Sequence, residues 1–140
     1  MNNSSNKKRY TRLLIVLSIA IITAGGIFMF SMLGKSQEER RNREYEVSLV
    51  NALKNSYQGI EEIKISNPEY TTPPGSWSCK VDILFEDGKK IFYGIPHNLD
   101  EIENYNGRMT YGQRDFLNQR KGITTNTVRV TYSNKERGEQ

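Results

Sequence analysis

Few residues in this chain have the chemistry to act on a substrate. Among 140 residues there is one histidine, His97, and one cysteine, Cys79. A thiol nucleophile needs a base within hydrogen-bond reach. The alternation of apolar and polar residues turns Cys79 inward, beside Ile95, with His97 two residues further along the same strand. A thiol in apolar surroundings has a raised pKa and is inert. The pair therefore reads as a buried structural cysteine and a surface loop histidine, and no catalytic residue is assigned. A single His and a single Cys cannot complete a zinc site. Asp100, Glu101 and Glu103 lack the glycine-pivoted spacing of a calcium loop and read as a solvated acidic run. Gly34-Lys35-Ser36 ends like a phosphate-binding loop, but the glycine that such a loop needs at position 29 is Met29. No metal and no cofactor is expected, and the chain reads as a non-enzyme.

A binding surface is the better-supported chemistry. Tyr70-Thr71-Thr72-Pro73-Pro74-Gly75-Ser76-Trp77 sets two large aromatics beside a stiff Pro-Pro-Gly unit that cannot continue a strand ladder. Aromatic side chains give large contact areas at low entropic cost. Tyr70, Pro73, Pro74 and Trp77 are therefore the candidate partner-binding residues. The competing reading has Trp77 covering the open end of a core. The Tyr-rich stretch Tyr105–Tyr111 carries the same ambiguity.

The elements that must position this loop follow from periodicity. In residues 37–58, Tyr45, Leu49, Leu53 and Tyr57 recur every fourth position with Val50 beside them, an amphipathic helix with one apolar stripe. Its charged first turns predict a solvated stalk over 34–44, and Gly59 a helix stop. Ile60–Ile65 reads as a short strand ended by Asn67-Pro68. Cys79, Val81, Ile83 and Phe85 alternate with polar residues, as do Ile91, Tyr93 and Ile95 across an Asp87-Gly88 turn. A two-residue loop would pair Ile83 with Phe92 and Phe85 with Lys90, mixing polarity on both faces. A three-residue loop, Glu86-Asp87-Gly88, pairs Ile83 with Ile91, Val81 with Tyr93 and Cys79 with Ile95, and leaves one apolar face with Gly88 in the left-handed position. Residues 99–112 read as loop, Gln113–Lys121 as a short helix stopped by Gly122, and Thr125–Tyr132 as a last strand before a frayed tail. The expected fold is α+β. An amphipathic helix packs on a small antiparallel sheet of about four strands, in the order α-β-β-β-(α)-β.

Before that domain, Leu13–Leu33 is a run of 21 residues without a charge, enough to cross about 30 Å of hydrocarbon as a helix. Lys7, Lys8, Arg9 and Arg12 precede it, which places the N-terminus in the cytoplasm and the C-terminal domain outside. The apolar run continues through Ile27–Phe30 past Ala24-Gly25-Gly26, so an uncleaved anchor fits better than a signal peptide. The expected organisation is a basic N-terminus at 1–12, a transmembrane helix at 13–33, a charged stalk at 34–44, an extracytoplasmic domain at 45–133 and a polar tail at 134–140. The net charge of +4 divides unevenly. Residues 1–37 hold five basic residues and no acid, whereas residues 38–140 hold 15 basic against 16 acidic ones. The domain is near neutral, which removes the electrostatic footprint of a nucleic-acid binder. One cysteine excludes an intrachain disulfide and suits a Gram-positive surface.

The segment Asn67-Pro68-Glu69-Tyr70-Thr71-Thr72-Pro73-Pro74-Gly75-Ser76-Trp77, followed by Phe85-Glu86-Asp87-Gly88, sits in an organisation that resembles the small membrane-anchored proteins of unknown function of streptococci, enterococci and Listeria-type bacteria, the DUF1310 group. The resemblance covers most of residues 8–135. It implies a Gram-positive envelope location and brings no functional motif. Two roles are expected from the sequence. The first is a membrane-anchored module that binds an extracellular or envelope protein or peptide, with protection against a secreted toxin or peptide as one form. The alternative is a non-catalytic subunit or sensor of a membrane complex, working through its transmembrane helix.

Overall fold

The computed structural model describes residues 35–104 and 109–140. The predicted membrane run and basic N-terminus lie outside these residues. No helix among the described residues is long and apolar enough to cross a membrane. Ser36–Gln140 forms one compact unit.

Helix α1 spans Gln37–Ser56. Ser36 caps it by accepting from the Glu39 amide at 3.2 Å, and Glu38 and Glu39 in the first turn complement the helix dipole. Its buried stripe runs Arg43, Glu46, Leu49, Val50, Leu53, so the apolar half matches the sequence pattern. The other half corrects it, because the charged turns are not all solvated stalk. The Arg43 guanidinium lies 3.8 Å over the Tyr132 ring and donates to Asn134 Oδ1 at 3.1 Å and Glu136 Oε2 at 3.0 Å. Glu46 accepts from the Ser133 amide at 2.6 Å and hydroxyl at 3.0 Å.

Strands β1 (Ile60–Thr71), β2 (Ser76–Phe85), β3 (Lys90–His97), β4 (Arg129–Thr131) and β5 (Arg137–Glu139) form one sheet in the order β3-β2-β1-β4-β5. The unit is α+β, but its sheet is mixed and five-stranded rather than antiparallel with four strands, because β4 runs parallel to β1. Two hairpins give β1 and β3 the same direction. A chain that must return to the far side of β1 then needs a crossover, not a hairpin. The connection from Asn98 to Val128 makes that crossover and carries helix α2, Tyr111–Asn118. A capping box opens α2, with Thr110 Oγ1 accepting from the Gln113 amide and Gln113 Oε1 from the Thr110 amide.

The β2–β3 hairpin has the predicted register, Ile83 opposite Ile91, Val81 opposite Tyr93 and Cys79 opposite Ile95. Gly88 takes φ +81° and nothing lies within 4 Å of where its Cβ would stand. Gly88→Ala therefore costs only the left-handed backbone, about 1 kcal/mol. A thermal melt should show a loss of that size for Gly88→Ala. The loss should be larger for Gly75→Ala, where φ is +84° and the added Cβ would also press on Tyr70 Oη at 3.1 Å.

Two strand ends depart from the sequence reading. β1 does not stop at Asn67-Pro68. A bulge between Ser66 and Glu69, with Asn67 at φ +47°, absorbs the proline, and pairing resumes to Thr71. The tail is not frayed. β5 pairs with β4, Gln140 exchanges both backbone hydrogen bonds with Val128, and Lys54 Nζ donates to the Gln140 carbonyl at 2.8 Å.

The core lies between α1 and the inner sheet face, with Trp77 and Phe85 at opposite ends of β2. α2 packs at the Phe85 end, where Phe116 meets Phe85 edge-on at 5.6 Å. Arg120 there covers the Phe116 ring at 3.9 Å and pairs with Asp87.

Candidate functional site

The sequence-predicted loop is shorter and more ordered than its composition suggests. Tyr70 pairs with Trp77 and Thr71 with Ser76 across the β1–β2 hairpin, so only Thr72–Gly75 is left to turn. The Gly75 amide donates to the Thr71 carbonyl at 2.7 Å. Thr71, Thr72, Pro73, Pro74 and Ser76 are exposed.

The four candidate residues divide. Pro73 and Pro74 stand at the tip. Tyr70 is half-buried under the Arg41 guanidinium at 4.1 Å. Trp77 is 1 % exposed, stacked on Tyr45 with centroids 5.1 Å apart, and its Nε1–H donates to Asn42 Oδ1 at 3.1 Å. Trp77 is therefore a core residue that braces the tip against α1, not a surface that a partner can touch. The sequence signal for this was its place in the alternation Trp77, Cys79, Val81, Ile83, Phe85. Of the Tyr-rich stretch, residues 105–108 lie outside the described residues. Tyr111 is 88 % exposed at the start of α2, which packs at the other end of β2 from Trp77.

His97 is not on a surface loop. It ends β3 opposite Trp77 and is 2 % exposed. Its Nε2 lies 2.8 Å from Ser48 Oγ, and its Nδ1 lies 3.7 Å from Glu101 Oε2. The order serine–histidine–carboxylate is that of a hydrolytic triad, yet three features oppose that use. Ser48 sits within α1, where its amide belongs to the helix ladder and cannot serve an oxyanion. The Glu101 contact is longer than a hydrogen bond. Burial also holds the imidazole pKa down at about 4, so it is a weak base. This geometry satisfies a buried histidine. Cys79 is buried on the same sheet face, and burial, with the Glu46 charge behind it, pushes the thiol pKa far up. No group of three or more potential metal ligands is present among the described residues.

The outer sheet face was not singled out from sequence, because its residues are the polar half of each alternation. The register places them in cross-strand rows. One row runs Leu84, Glu62, Arg129, Glu139 and the next Asp82, Lys64, Thr131, Arg137, from β2 to β5. Arg129 pairs with Glu61 at 2.9 Å and Glu62 at 3.4 Å, and Lys64 approaches Glu62 at 3.7 Å. Between β1, β4 and β5 these side chains border an open cleft of about 430 Å³.

Compared with family models, with curated proteins and with solved structures, the chain matches none. No residue role comes from a relative.

Proposed function

We propose that this chain is a membrane-anchored, extracytoplasmic binding module, with Leu13–Leu33 as its anchor and Ser36–Gln140 as the presented unit. Its partner is a protein or peptide of the envelope or the medium, and protection against a secreted toxin or peptide is one concrete form of the role. The observation that supports this reading best is the hairpin tip. Thr71, Thr72, Pro73 and Pro74 are exposed on a turn held from beneath by the Tyr45–Trp77 stack and the Arg41–Tyr70 contact. A turn held in one conformation loses little entropy when a partner closes on it.

The test uses the full chain in detergent as bait for culture supernatant and solubilised envelope. A variant carrying Thr71→Glu and Thr72→Glu, both at exposed positions, is run beside it. The expected result is a stoichiometric partner bound at least tenfold more weakly by the variant, with the melting curve unchanged. A partner held equally by both proteins would remove the tip from the reading. The second reading is a non-catalytic subunit or sensor of a membrane complex, favoured by Gly25-Gly26 inside the apolar run, where small residues let helices approach closely. Replacing residues 13–33 by an unrelated apolar helix separates the two. The binding module keeps its partner, and the subunit loses it.

A further inference from the structure

We infer that the cleft between β1, β4 and β5 is a second binding site, one that takes an acidic peptide segment. This inference is independent of the hairpin tip.

The argument starts from which charges on the outer face are already matched. Arg129 faces Glu61 and Glu62, so its charge is met within the sheet. Arg137 is exposed and has no acidic partner within ion-pair distance among the described residues. Lys64 is 55 % exposed and reaches only Glu62, at 3.7 Å. Both belong to the row Lys64, Thr131, Arg137, so two cations stand on either side of a half-buried threonine. Neighbouring strands are spaced about 4.8 Å apart, which puts the Cα atoms of Lys64 and Arg137 about 10 Å apart across β4. The cleft of about 430 Å³ opens over this row. Glu62 and Glu139 border it on the Arg129 row and Asp82 adjoins Lys64, so a ligand is held only by those of its carboxylates that reach Lys64 and Arg137 themselves. It is an extended segment with carboxylates spaced to meet Lys64 and Arg137, and the Thr131 hydroxyl is placed to hydrogen-bond between them. Arg137 suits this role because a guanidinium binds a carboxylate through two parallel hydrogen bonds.

The test titrates hexaglutamate, hexalysine and inorganic phosphate into the full chain in detergent micelles by calorimetry. The variants are the double reversal Lys64→Glu, Arg137→Glu and the conservative Arg137→Lys. Hexaglutamate should bind saturably at one site per chain and weaken at least tenfold as salt rises from 20 to about 300 mM, as screening of exposed charges requires. The double reversal should bind it at least tenfold more weakly while still melting cooperatively, with a midpoint lowered only by what like charges opposite Asp82 and beside Glu62 cost. Arg137→Lys should fall between the parent and the double reversal, because it keeps the charge and loses the second parallel hydrogen bond, and hexalysine should not bind. Hexaglutamate binding that survives the double reversal would place the site on the basic N-terminus and overturn the inference. So would phosphate binding at the cleft that displaces the peptide at equal concentration, which would make the site one for a small anion. A Thr71→Glu, Thr72→Glu chain should still bind hexaglutamate, so failure at the tip and failure at the cleft are distinguishable.

Discussion

Trp77→Ala should cost about 3–5 kcal/mol of stability, the range for emptying a fully buried aromatic site. The indole is 1 % exposed. Its removal deletes the 5.1 Å stack on Tyr45 and leaves Asn42 Oδ1 without its donor. Domains of this size are stable by only about 5–15 kcal/mol, so the variant should lose a third or more of its stability across most of that range and melt well below the parent. Trp77 is the only tryptophan, so unfolding must be followed by far-UV circular dichroism of the full chain. Trp77→Phe keeps a ring against Tyr45 and loses the Nε1–H donor, and it should cost roughly half as much. The consequence for function is direct. A partner lost on Trp77→Ala says nothing about contact, because the whole hairpin loses its brace, whereas a partner lost on Thr71→Glu, Thr72→Glu with an unchanged melt does. Two proteins with the same denaturation midpoint, parent and Trp77→Ala, would mean that the indole does not brace the tip.

What could be read from the sequence was whatever depends on neighbours in the chain. The β2–β3 register followed from alternation plus one turn, because a slip by one residue would have put Lys90 or Phe92 on the wrong face. The apolar stripe Leu49, Val50, Leu53 followed from helical spacing. The features that escaped depend on distant partners. Arg43 reads as a stalk residue and Glu46 as part of the helix's polar face because their matching groups, Asn134, Glu136 and Ser133, lie some ninety positions away. The tail reads as frayed for the same reason, since its polar residues bond to β4 and α1. Pro68 read as a strand end because a bulge that accommodates it leaves no local mark. His97 read as a loop residue because Pro96 precedes it, although its place in the alternation Ile91, Tyr93, Ile95, His97 pointed inward. For the candidate site, Pro73 and Pro74 were legible from backbone chemistry alone. The outer-face rows became visible only once β4 and β5 were placed beside β1.

The pH dependence of stability should show two opposed contributions that variants can separate. Burial lowers the His97 pKa from 6.5 to about 4. Between those values the unfolded chain binds a proton that the folded one refuses. The His97 contribution is therefore present above pH 6.5 and is lost as pH falls toward 4, by at most about 3 kcal/mol at 1.36 kcal/mol per unit. Glu46 works the other way. Burial raises its pKa above 4.5 despite the two Ser133 hydrogen bonds and the nearby Arg43 charge. The folded state then holds the proton longer, and stability falls as pH rises from 4.5 through the raised value. From pH 4.5 up to the raised Glu46 value the two slopes oppose each other, so the parent alone should show a shallower profile there than either contribution would give. Denaturant midpoints from pH 4 to 8 should resolve them. His97→Gln can still hydrogen-bond Ser48 but cannot titrate, so its deficit against the parent should shrink by up to about 3 kcal/mol between pH 7 and pH 4. Glu46→Gln keeps an acceptor for the Ser133 amide and should gain on the parent as pH rises above 4.5. A gap between parent and His97→Gln that stays constant across this range would mean an imidazole that titrates alike in the folded and unfolded chains, and a gap that widens as pH falls would mean an imidazole held protonated in the folded state. The Ser48–His97–Glu101 arrangement would then be an ion pair with Glu101 rather than a neutral buried histidine held by Ser48.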